Sequence, residues 1–156
     1  MTASNAPLAQ EDKTMSRALF ITLPVADLER SIAFFSALGF AFDPAFANAN
    51  GACLLISEHS RVMLAVRPFF AGLAGRPVAD AHASAQMLLA LSCESREEVD
   101  ALVAKAVAAG GSAPNAAEDH GFMYDHGFED LDGHLWGVFW TNEAWTNEAA
   151  SPPSGA

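Results

Sequence analysis

The feature that most constrains this fold is a pattern of one strand, one helix and three further strands, which occurs twice along the 156-residue chain. In the first half, the β-prone run 18–25 ends near Pro24, and Asp27 then suits the N-cap of a helix. Apolar residues recur at helical spacing at Leu28, Ile32, Phe35 and Leu38, before Gly39 supplies a stop. Three short apolar runs follow, at 40–46, 52–57 and 61–66. The first half is therefore predicted as βαβββ, with its last three strands forming a meander.

The second half repeats this order. Residues 86–93 are apolar and strand-like, and residues 95–98 form a capping box that opens a helix over 99–109. Two consecutive glycines then end the helix. Three strands are predicted after it, at about 112–116, 121–129 and 134–141, and an Asp-Gly dipeptide favours a tight reversal between the last two. The chain is thus predicted to be an α+β protein built from two βαβββ modules.

Three segments fall outside the two modules. Residues 68–84 contain two glycines and two prolines and are predicted to form a linker or a rim over the sheet, which Phe69 and Phe70 could anchor. Residues 1–16 are polar and are predicted to be a disordered tail. The end of the chain repeats Trp-Thr-Asn-Glu-Ala in tandem and then reads Ser-Pro-Pro-Ser-Gly-Ala, which is typical of a tail. The expected organisation is one domain at 17–141, with module one at 17–67 and module two at 85–141, and a tail at 142–156.

Charge and cysteine content exclude several classes of function. Nineteen acidic and eight basic residues give a formal net charge of −11, which repels nucleic acid and anionic lipid. Cys53 and Cys93 are too few and too far apart for a zinc cluster or a disulfide framework, so both are expected to be buried free thiols. No stretch approaches the roughly 20 apolar residues of a membrane helix, and a cytoplasmic protein is the default expectation.

Two segments carry a resemblance to a known family. Residues 20–40 (FITLPVADLERSIAFFSALGF) resemble the opening of glyoxalase-like proteins, where a strand ending in V-x-D-L leads into a helix ending in LGF. Residues 128–138 (FEDLDGHLWGV) resemble the final hairpin of that family, F-x-D-P-D-G-H-x-W-E-V. The family is the glyoxalase/bleomycin-resistance/extradiol-dioxygenase, or vicinal oxygen chelate, superfamily, which includes lactoylglutathione lyases. The resemblance implies two modules whose mixed sheets pair around an open cup, a small-molecule substrate held there over a divalent metal, and a homodimer.

The residues at the usual metal-ligand positions differ from those of metal-binding relatives. The resemblance assigns the first-strand position to Phe20 and the final-strand position to Gly137, where the family motif carries Glu. The internal repeat puts the two remaining positions near Leu64 and Leu88, within about two residues. Divalent ions need oxygen or nitrogen donors, which none of these side chains supplies. The sequence therefore predicts no cofactor at the usual site, and a divalent metal only at a non-standard one.

His126 is the candidate catalytic residue. A two- or four-residue reversal at Asp132-Gly133 would put Tyr124, His126 and Phe128 on the same face as Leu135, Gly137 and Phe139, and we expect that face to line the cup. An imidazole there could act as a general base or bind a substrate through a hydrogen bond. The alternative is a half-buried histidine with a purely structural partner.

Other polar residues near this hairpin receive structural interpretations. His134 is expected to hold the reversal through hydrogen bonds, and the acidic residues Glu129, Asp130 and Asp132 are expected to form a solvated turn. Glu118, Asp119 and His120 precede the hairpin, at the mouth of the cup, and rank below His126 as substrate contacts. Trp136, Val138 and Trp140 alternate with the cup residues and are expected to pack under the helices.

Three functions are compatible with these expectations. The first is a metal-independent protein that binds a small hydrophobic or aromatic molecule in a cup lined by Phe20, Leu64, Leu88, Tyr124, His126, Phe128, Gly137 and Phe139. The second is an enzyme, either a lyase/isomerase or dioxygenase of the glyoxalase type with a displaced metal, or a cofactor-free catalyst that uses His126. The third is a dimer scaffold without a ligand.

Overall fold

The computed structural model describes residues 17–142, which form two four-stranded mixed sheets and three α-helices. The strands are β1 (Leu19–Val25), β2 (Ala41–Phe42), β3 (Gly51–Leu55), β4 (Ser60–Val66), β5 (Leu88–Ser92), β6 (Glu118–Asp119), β7 (Met123–Glu129) and β8 (Leu135–Thr141). The helices are α1 (Leu28–Ala37), α2 (Arg67–Ala74) and α3 (Arg96–Ala108), with a short 3-10 helix at Pro44–Phe46. Both predicted tails, at 1–16 and in nearly all of 142–156, lie outside the described residues.

The predicted α+β fold class is confirmed. The first sheet has the order β1-β4-β3-β2, in which β1 runs parallel to β4 and the other pairs are antiparallel. The second sheet repeats this arrangement as β5-β8-β7-β6. Pro24 lies in β1 at the edge of its sheet, where its missing N–H interrupts no hydrogen-bond ladder.

Three predicted segments differ from the structure. The strand expected at 40–46 is reduced to β2 at Ala41–Phe42, and Pro44–Phe46 form the 3-10 helix instead. The strand expected at 112–116 is absent from the described chain except for one bridge between Ser112 and Glu129, and β6 forms later, at Glu118–Asp119. Pro114 explains the difference, because it lacks the N–H that a paired strand requires. The predicted linker is partly helical: α2 begins at Arg67, the residue before it, with Pro68 in its first turn, and is capped by Gly75, whose φ is 69°.

Side-chain caps begin the other two helices. The Asp27 carboxylate accepts the backbone N–H of Arg30 at 3.1 Å before α1. Before α3, the Ser95 hydroxyl accepts the N–H of Glu98 at 3.1 Å, while the Glu98 carboxylate accepts the N–H of Glu94 at 2.7 Å. The predicted capping box is therefore present, except that its glutamate reaches one residue beyond the N-cap.

Contacts divide the chain into two compact units. Among the described residues, one unit contains 17–32 and 40–78, and the other contains 33–39 and 79–142. In the first unit, the core is the face of the sheet that carries Leu23, Leu54 and Leu64, each at most 2% exposed. No helix in the described part of the chain is both long and apolar enough to cross a membrane.

An aromatic cluster forms the core of the second unit. Phe34 and Phe35, at the end of α1, meet edge to face with ring centroids 5.0 Å apart. Phe35 contacts the Trp136 ring at 5.3 Å, and Trp136 stacks on Phe128 at 6.2 Å. Trp136 and Val138 are fully buried, which confirms that they belong to the core. The end of α1, a helix of the first βαβββ repeat, thus packs aromatic side chains against the second sheet.

Both cysteines are free thiols, as expected. Cys53 is completely buried in β3, whereas Cys93, just after β5, is only half-buried. Burial, together with the nearby Glu98 and Glu94 carboxylates, raises the pKa of the Cys93 thiol to about 11. Cys93 therefore remains protonated and weakly nucleophilic at neutral pH.

Candidate functional site

The two faces of the second sheet have different surroundings. One face packs on α3: the Tyr124 hydroxyl donates to the Asp100 carboxylate on this helix at 2.6 Å, and this hydrogen bond raises the pKa of Tyr124. The other face, which we call the open face, carries the alternate residues of each strand. Its members are Leu88, Ala90 and Ser92 in β5, Leu135, Gly137 and Phe139 in β8, Met123, Asp125, Gly127 and Glu129 in β7, and Glu118 in β6.

The hairpin register predicted for β7 and β8 is wrong by one residue. Phe128 pairs with Trp136, His126 with Val138, and Tyr124 with Trp140. The connection between the strands has five residues, 130–134, rather than two or four, so every side chain of β7 changes face relative to the prediction. Tyr124, His126 and Phe128 therefore lie on the face packed against α3, opposite Gly137 and Phe139.

His126 has a structural partner in this position. Its Nε2–H donates to the main-chain carbonyl of Asn115 at 2.8 Å, which assigns the ring proton to Nε2 in the neutral form, because a carbonyl only accepts. The half-buried ring thus ties β7 to the segment before β6. The expectation that His126 shares the face of Gly137 is not met, and its proposed role as general base loses its geometric basis.

Asp130 organises the five-residue reversal. Its carboxylate accepts the N–H groups of Asp132 and His134 at 2.9 and 3.0 Å and the indole N–H of Trp136 at 2.9 Å. Asp130 is only 5% exposed, so the expectation of a solvated acidic turn is wrong at this residue. Burial raises the pKa of its carboxyl, and the three N–H donors oppose that rise. His134 takes part through its main chain, as its carbonyl also accepts the Asp130 N–H at 3.0 Å.

The strand positions assigned to the usual metal hold no suitable donors. Leu64 is fully buried on the other face of its sheet from Phe20, so the position inferred from the repeat needs correction. The two sheets can be aligned by their parallel pairs: Phe20 pairs with Arg61 in the first sheet, and Leu88 pairs with Leu135 in the second. Gly137 lies two residues after Leu135, and the equivalent residue, two after Arg61, is Met63. The side chains at Phe20, Met63, Leu88 and Gly137 offer no oxygen or nitrogen, and this set does not fit a divalent ion.

Phe20 lies on the half-exposed face of the first sheet. The side chain is 49% exposed, and the Arg61 guanidinium lies over its ring at 5.8 Å. The same guanidinium donates to the Asp43 carboxylate at 2.8 Å. Arg61 is therefore already paired and stacked, and its charge is partly neutralised.

The open face of the second sheet is apolar along β5 and β8. Leu88 is 75% exposed, and Ala90 beside it is also exposed. A Cβ built on Gly137 would meet only the Leu89 carbonyl at 3.8 Å and the Ala90 Cβ at 3.9 Å, which are ordinary contact distances. The backbone at Gly137 thus leaves room for a larger group on this face, next to the half-buried Phe139.

Three titratable side chains converge on the other edge of the open face. His120 Nε2 lies 2.8 Å from Asp125 Oδ2 and 3.5 Å from Glu118 Oε2. One possible ligand atom from each of the three residues lies within 4.8 Å of the others. Glu118 and Asp125 are direct cross-strand partners, and His120 follows Glu118 by two residues, so strand alternation brings all three to one face. We call them the edge cluster.

Sequence reasoning ranked Glu118 and His120 below His126 and did not single out Asp125. The missing information was the pairing of β6 with β7. A histidine and a carboxylate five residues apart are brought together neither by the period of a helix nor by that of a single strand. A turn signal was present at Gly121, which opens a two-residue hairpin turn with φ of 84°. That turn would have predicted Glu118 opposite Asp125.

Arg96 supports the edge cluster from the helix-packed face. Its guanidinium lies over the rings of Trp140 and Tyr124, 4.9 and 5.5 Å from their centroids. It also donates to the Asp119 carboxylate and to the Gly121 carbonyl, the latter at 3.2 Å. The hydrogen bond from Arg96 lowers the pKa of Asp119. The turn between β6 and β7 is therefore held by a planar, stacked cation.

Comparison with known proteins identifies the fold. A hypothetical protein from S. aureus, SA1046, superposes with a TM-score of 0.69 at 27% identity, covering 79% of this chain and 92% of that one. A glyoxalase-related enzyme from Fulvimarina pelagi superposes with a TM-score of 0.69 at 25% identity, covering 80% and 88%. A glyoxalase/bleomycin resistance protein/dioxygenase family enzyme from Burkholderia phytofirmans PsJN shares the fold at 16% identity, with a TM-score of 0.68 and coverage of 79% and 97%.

The family is identified by sequence as well as by fold. No curated protein matches the chain. The family model of the Glyoxalase/Bleomycin resistance protein/Dioxygenase superfamily matches residues 17–138, which include the first βαβββ repeat, the second as far as the middle of β8, and the two motifs at 20–40 and 128–138. The chain therefore belongs to the glyoxalase/bleomycin resistance protein/dioxygenase superfamily.

Proposed function

We propose that the chain binds a small hydrophobic or aromatic molecule on the open face of its second sheet, without a metal at the four usual strand positions. The observation that carries this proposal is the apolar surface formed by Leu88, Ala90 and Gly137. Removing apolar surface from water is favourable by about 25 cal/mol of free energy per Å². A ligand that covers the surface would recover part of this free energy.

The local geometry favours a flat, apolar ligand. Gly137 lacks a side chain in the middle of β8, and its neighbours leave ordinary contact distance above it. Phe139 presents an aromatic ring two residues along the same face, and Ala90 pairs directly with the glycine from β5. A ring lying over Gly137 would contact both side chains, and aromatic contacts of this kind favour binding.

A metal-dependent lyase/isomerase or dioxygenase of the glyoxalase type is the second candidate function. It is supported by the superfamily and by the similarity to the glyoxalase-related enzyme of Fulvimarina pelagi. Such an activity would need metal ligands away from Phe20, Met63, Leu88 and Gly137. Turnover that requires an added metal ion would favour this candidate over simple binding.

The test is a thermal-shift screen of aromatic compounds with the wild type and a Gly137→Leu variant. A ligand at 100 times its Kd stabilises the fold by about 2.7 kcal/mol, which raises Tm by several degrees. Leucine at this position would occupy the ligand's space, so we expect the shift to disappear while the Tm without ligand changes little.

The control is Val107→Leu, which adds a methylene at a side chain on α3 that is 47% exposed. This variant should retain the full shift. The proposal fails if no compound raises the Tm of the wild type, or if Gly137→Leu responds to the same compound as strongly as the wild type does.

A further inference from the structure

We propose that the edge cluster of Glu118, His120 and Asp125 binds one first-row divalent cation such as Zn²⁺, at a place distinct from the four usual strand positions. The site lies within one β-hairpin, because β6, the turn and β7 supply all three side chains. It is independent of the proposed organic ligand, whose apolar surface lies on β5 and β8.

The spacing of the donor atoms suits a small metal ion. Bonds of about 2.0–2.2 Å from Zn²⁺ to imidazole nitrogen and carboxylate oxygen place neighbouring ligand atoms about 3.3–3.6 Å apart in a tetrahedral shell. His120 Nε2 lies 3.5 Å from Glu118 Oε2, within that range, and 2.8 Å from Asp125 Oδ2, which is shorter because the two atoms share a hydrogen bond. The third pair, Glu118 with Asp125, lies within 4.8 Å. The cation would replace the proton that Nε2 shares with Asp125 and draw the three donors around it.

The charges around the cluster also favour a cation. Glu118 and Asp125 face each other across adjacent strands, where two like charges are destabilising. The nearby arginine, Arg96, is committed to Asp119 and Gly121 on the other face. Within residues 17–142, the ion pairs found for Glu118 and Asp125 both involve His120, which is charged only when protonated. A divalent ion would neutralise both carboxylates at once.

The hairpin holds the donors in place before any ion binds. The main-chain N–H of His120 donates to the Met123 carbonyl at 2.7 Å and continues the strand ladder beyond β6. The Asp119 carboxylate accepts the Gly121 N–H at 2.9 Å, and Arg96 fixes both residues from behind. Arg96 therefore holds the turn on either side of His120 without contacting a ligand atom itself.

The donor set predicts selectivity. One imidazole nitrogen with two carboxylate oxygens suits Zn²⁺ and its first-row neighbours, whereas Mg²⁺ and Ca²⁺ prefer oxygen ligands alone. Glu118 and His120 have side chains that are 70% and 38% exposed, so water can complete the coordination shell. Loss of the imidazole should therefore abolish the preference for Zn²⁺ over Mg²⁺.

The experiment is isothermal titration calorimetry of the full chain with ZnCl₂ and, separately, with MgCl₂. We expect one Zn²⁺ site that Mg²⁺ does not occupy, and at least about 10-fold weaker Zn²⁺ binding in both His120→Ala and Asp125→Asn. The matched control is His59→Ala, which removes an exposed imidazole from the turn between β3 and β4 and should leave the affinity unchanged. Circular dichroism checks that each variant is folded.

A further variant keeps the test decisive if His120→Ala or Asp125→Asn does not fold. Glu118→Gln changes a mostly exposed side chain and should also weaken Zn²⁺ binding at least about 10-fold. The site is rejected if folded His120→Ala or Glu118→Gln binds Zn²⁺ as tightly as the wild type, or if Mg²⁺ binds equally well, because either result indicates diffuse attraction to a chain of net charge −11. These outcomes involve no organic compound, so they do not depend on the screen described above.

Discussion

Gly133 lies in the reversal between β7 and β8 with φ of 86°, and two separate constraints exclude a side chain there. A Cβ at this position would lie 2.7 Å from His82 Nδ1 and 2.8 Å from the His82 main-chain nitrogen. Gly121 has nearly the same φ, 84°, but open space around it. The Asp-Gly dipeptide was a sufficient signal for the turn, whereas the approach of His82 had no signal in the local sequence.

At this residue scale we expect Gly133→Ala to destabilise the protein by about 2–5 kcal/mol, since left-handed strain and steric overlap add together. Gly121→Ala suffers the strain alone and should cost about 1–2 kcal/mol. Urea unfolding of both variants gives the two free energies of unfolding. Equal losses would show that the contact with His82 contributes nothing.

The hairpin of β6 and β7 depends on a residue from a helix. Arg96 is in the first turn of α3, yet it stacks on Trp140 and Tyr124 and bonds the turn at Asp119 and Gly121. A two-residue strand such as β6 has little pairing of its own. The helix therefore stabilises the part of the sheet that carries the edge cluster.

We expect Arg96→Lys to loosen this hairpin even though it keeps the positive charge. Lysine cannot stack as a plane or bond two acceptors as a fork, and the loss of about 1–2 kcal/mol corresponds to roughly 10-fold faster amide exchange. Hydrogen exchange at the His120 amide, which is bonded to the Met123 carbonyl, measures the effect. Arg30→Lys, at an exposed position of α1, is the control and should leave that amide unchanged. Unaltered exchange in Arg96→Lys would contradict this assignment.

The excess of acidic residues opposes compaction of the chain, because like charges repel one another. The net charge of −11 is spread over 156 residues, and salt screens the resulting repulsion. We expect Tm at pH 7 to rise by about 2–4 °C between 20 and 500 mM NaCl, a range that follows from screening about 1 kcal/mol of repulsion.

Differential scanning calorimetry at the two salt concentrations checks this effect. Repeating the comparison with KCl supplies the control, because screening depends on ionic strength and not on the identity of the monovalent salt, so the same rise in Tm is expected. A Tm that is independent of NaCl at pH 7 would mean that the acidic side chains are too far apart to repel one another.

Periodicity and turn signals along the chain were enough to predict the class of fold. The repeated order of strand, helix and three strands, the meander, the capping box at Ser95 and the burial of Trp136 and Val138 all agree with the structure. These features depend on contacts between residues close in sequence or on the alternation of side chains within one strand. The match of the family model to residues 17–138 agrees with the same two motifs.

Only the tertiary structure decided which side chains share a face. The five-residue reversal, which the buried Asp130 organises, places Tyr124, His126 and Phe128 on the helix-packed face. Pairing of β6 with β7 brings Asp125 next to Glu118 and His120. The physical reason is that strand side chains alternate with a period of two, so one extra residue in a connection exchanges the two faces. The order of strands and helices thus follows from local sequence patterns, whereas strand pairing places His120 beside Asp125 and places His126 on the opposite face from Gly137.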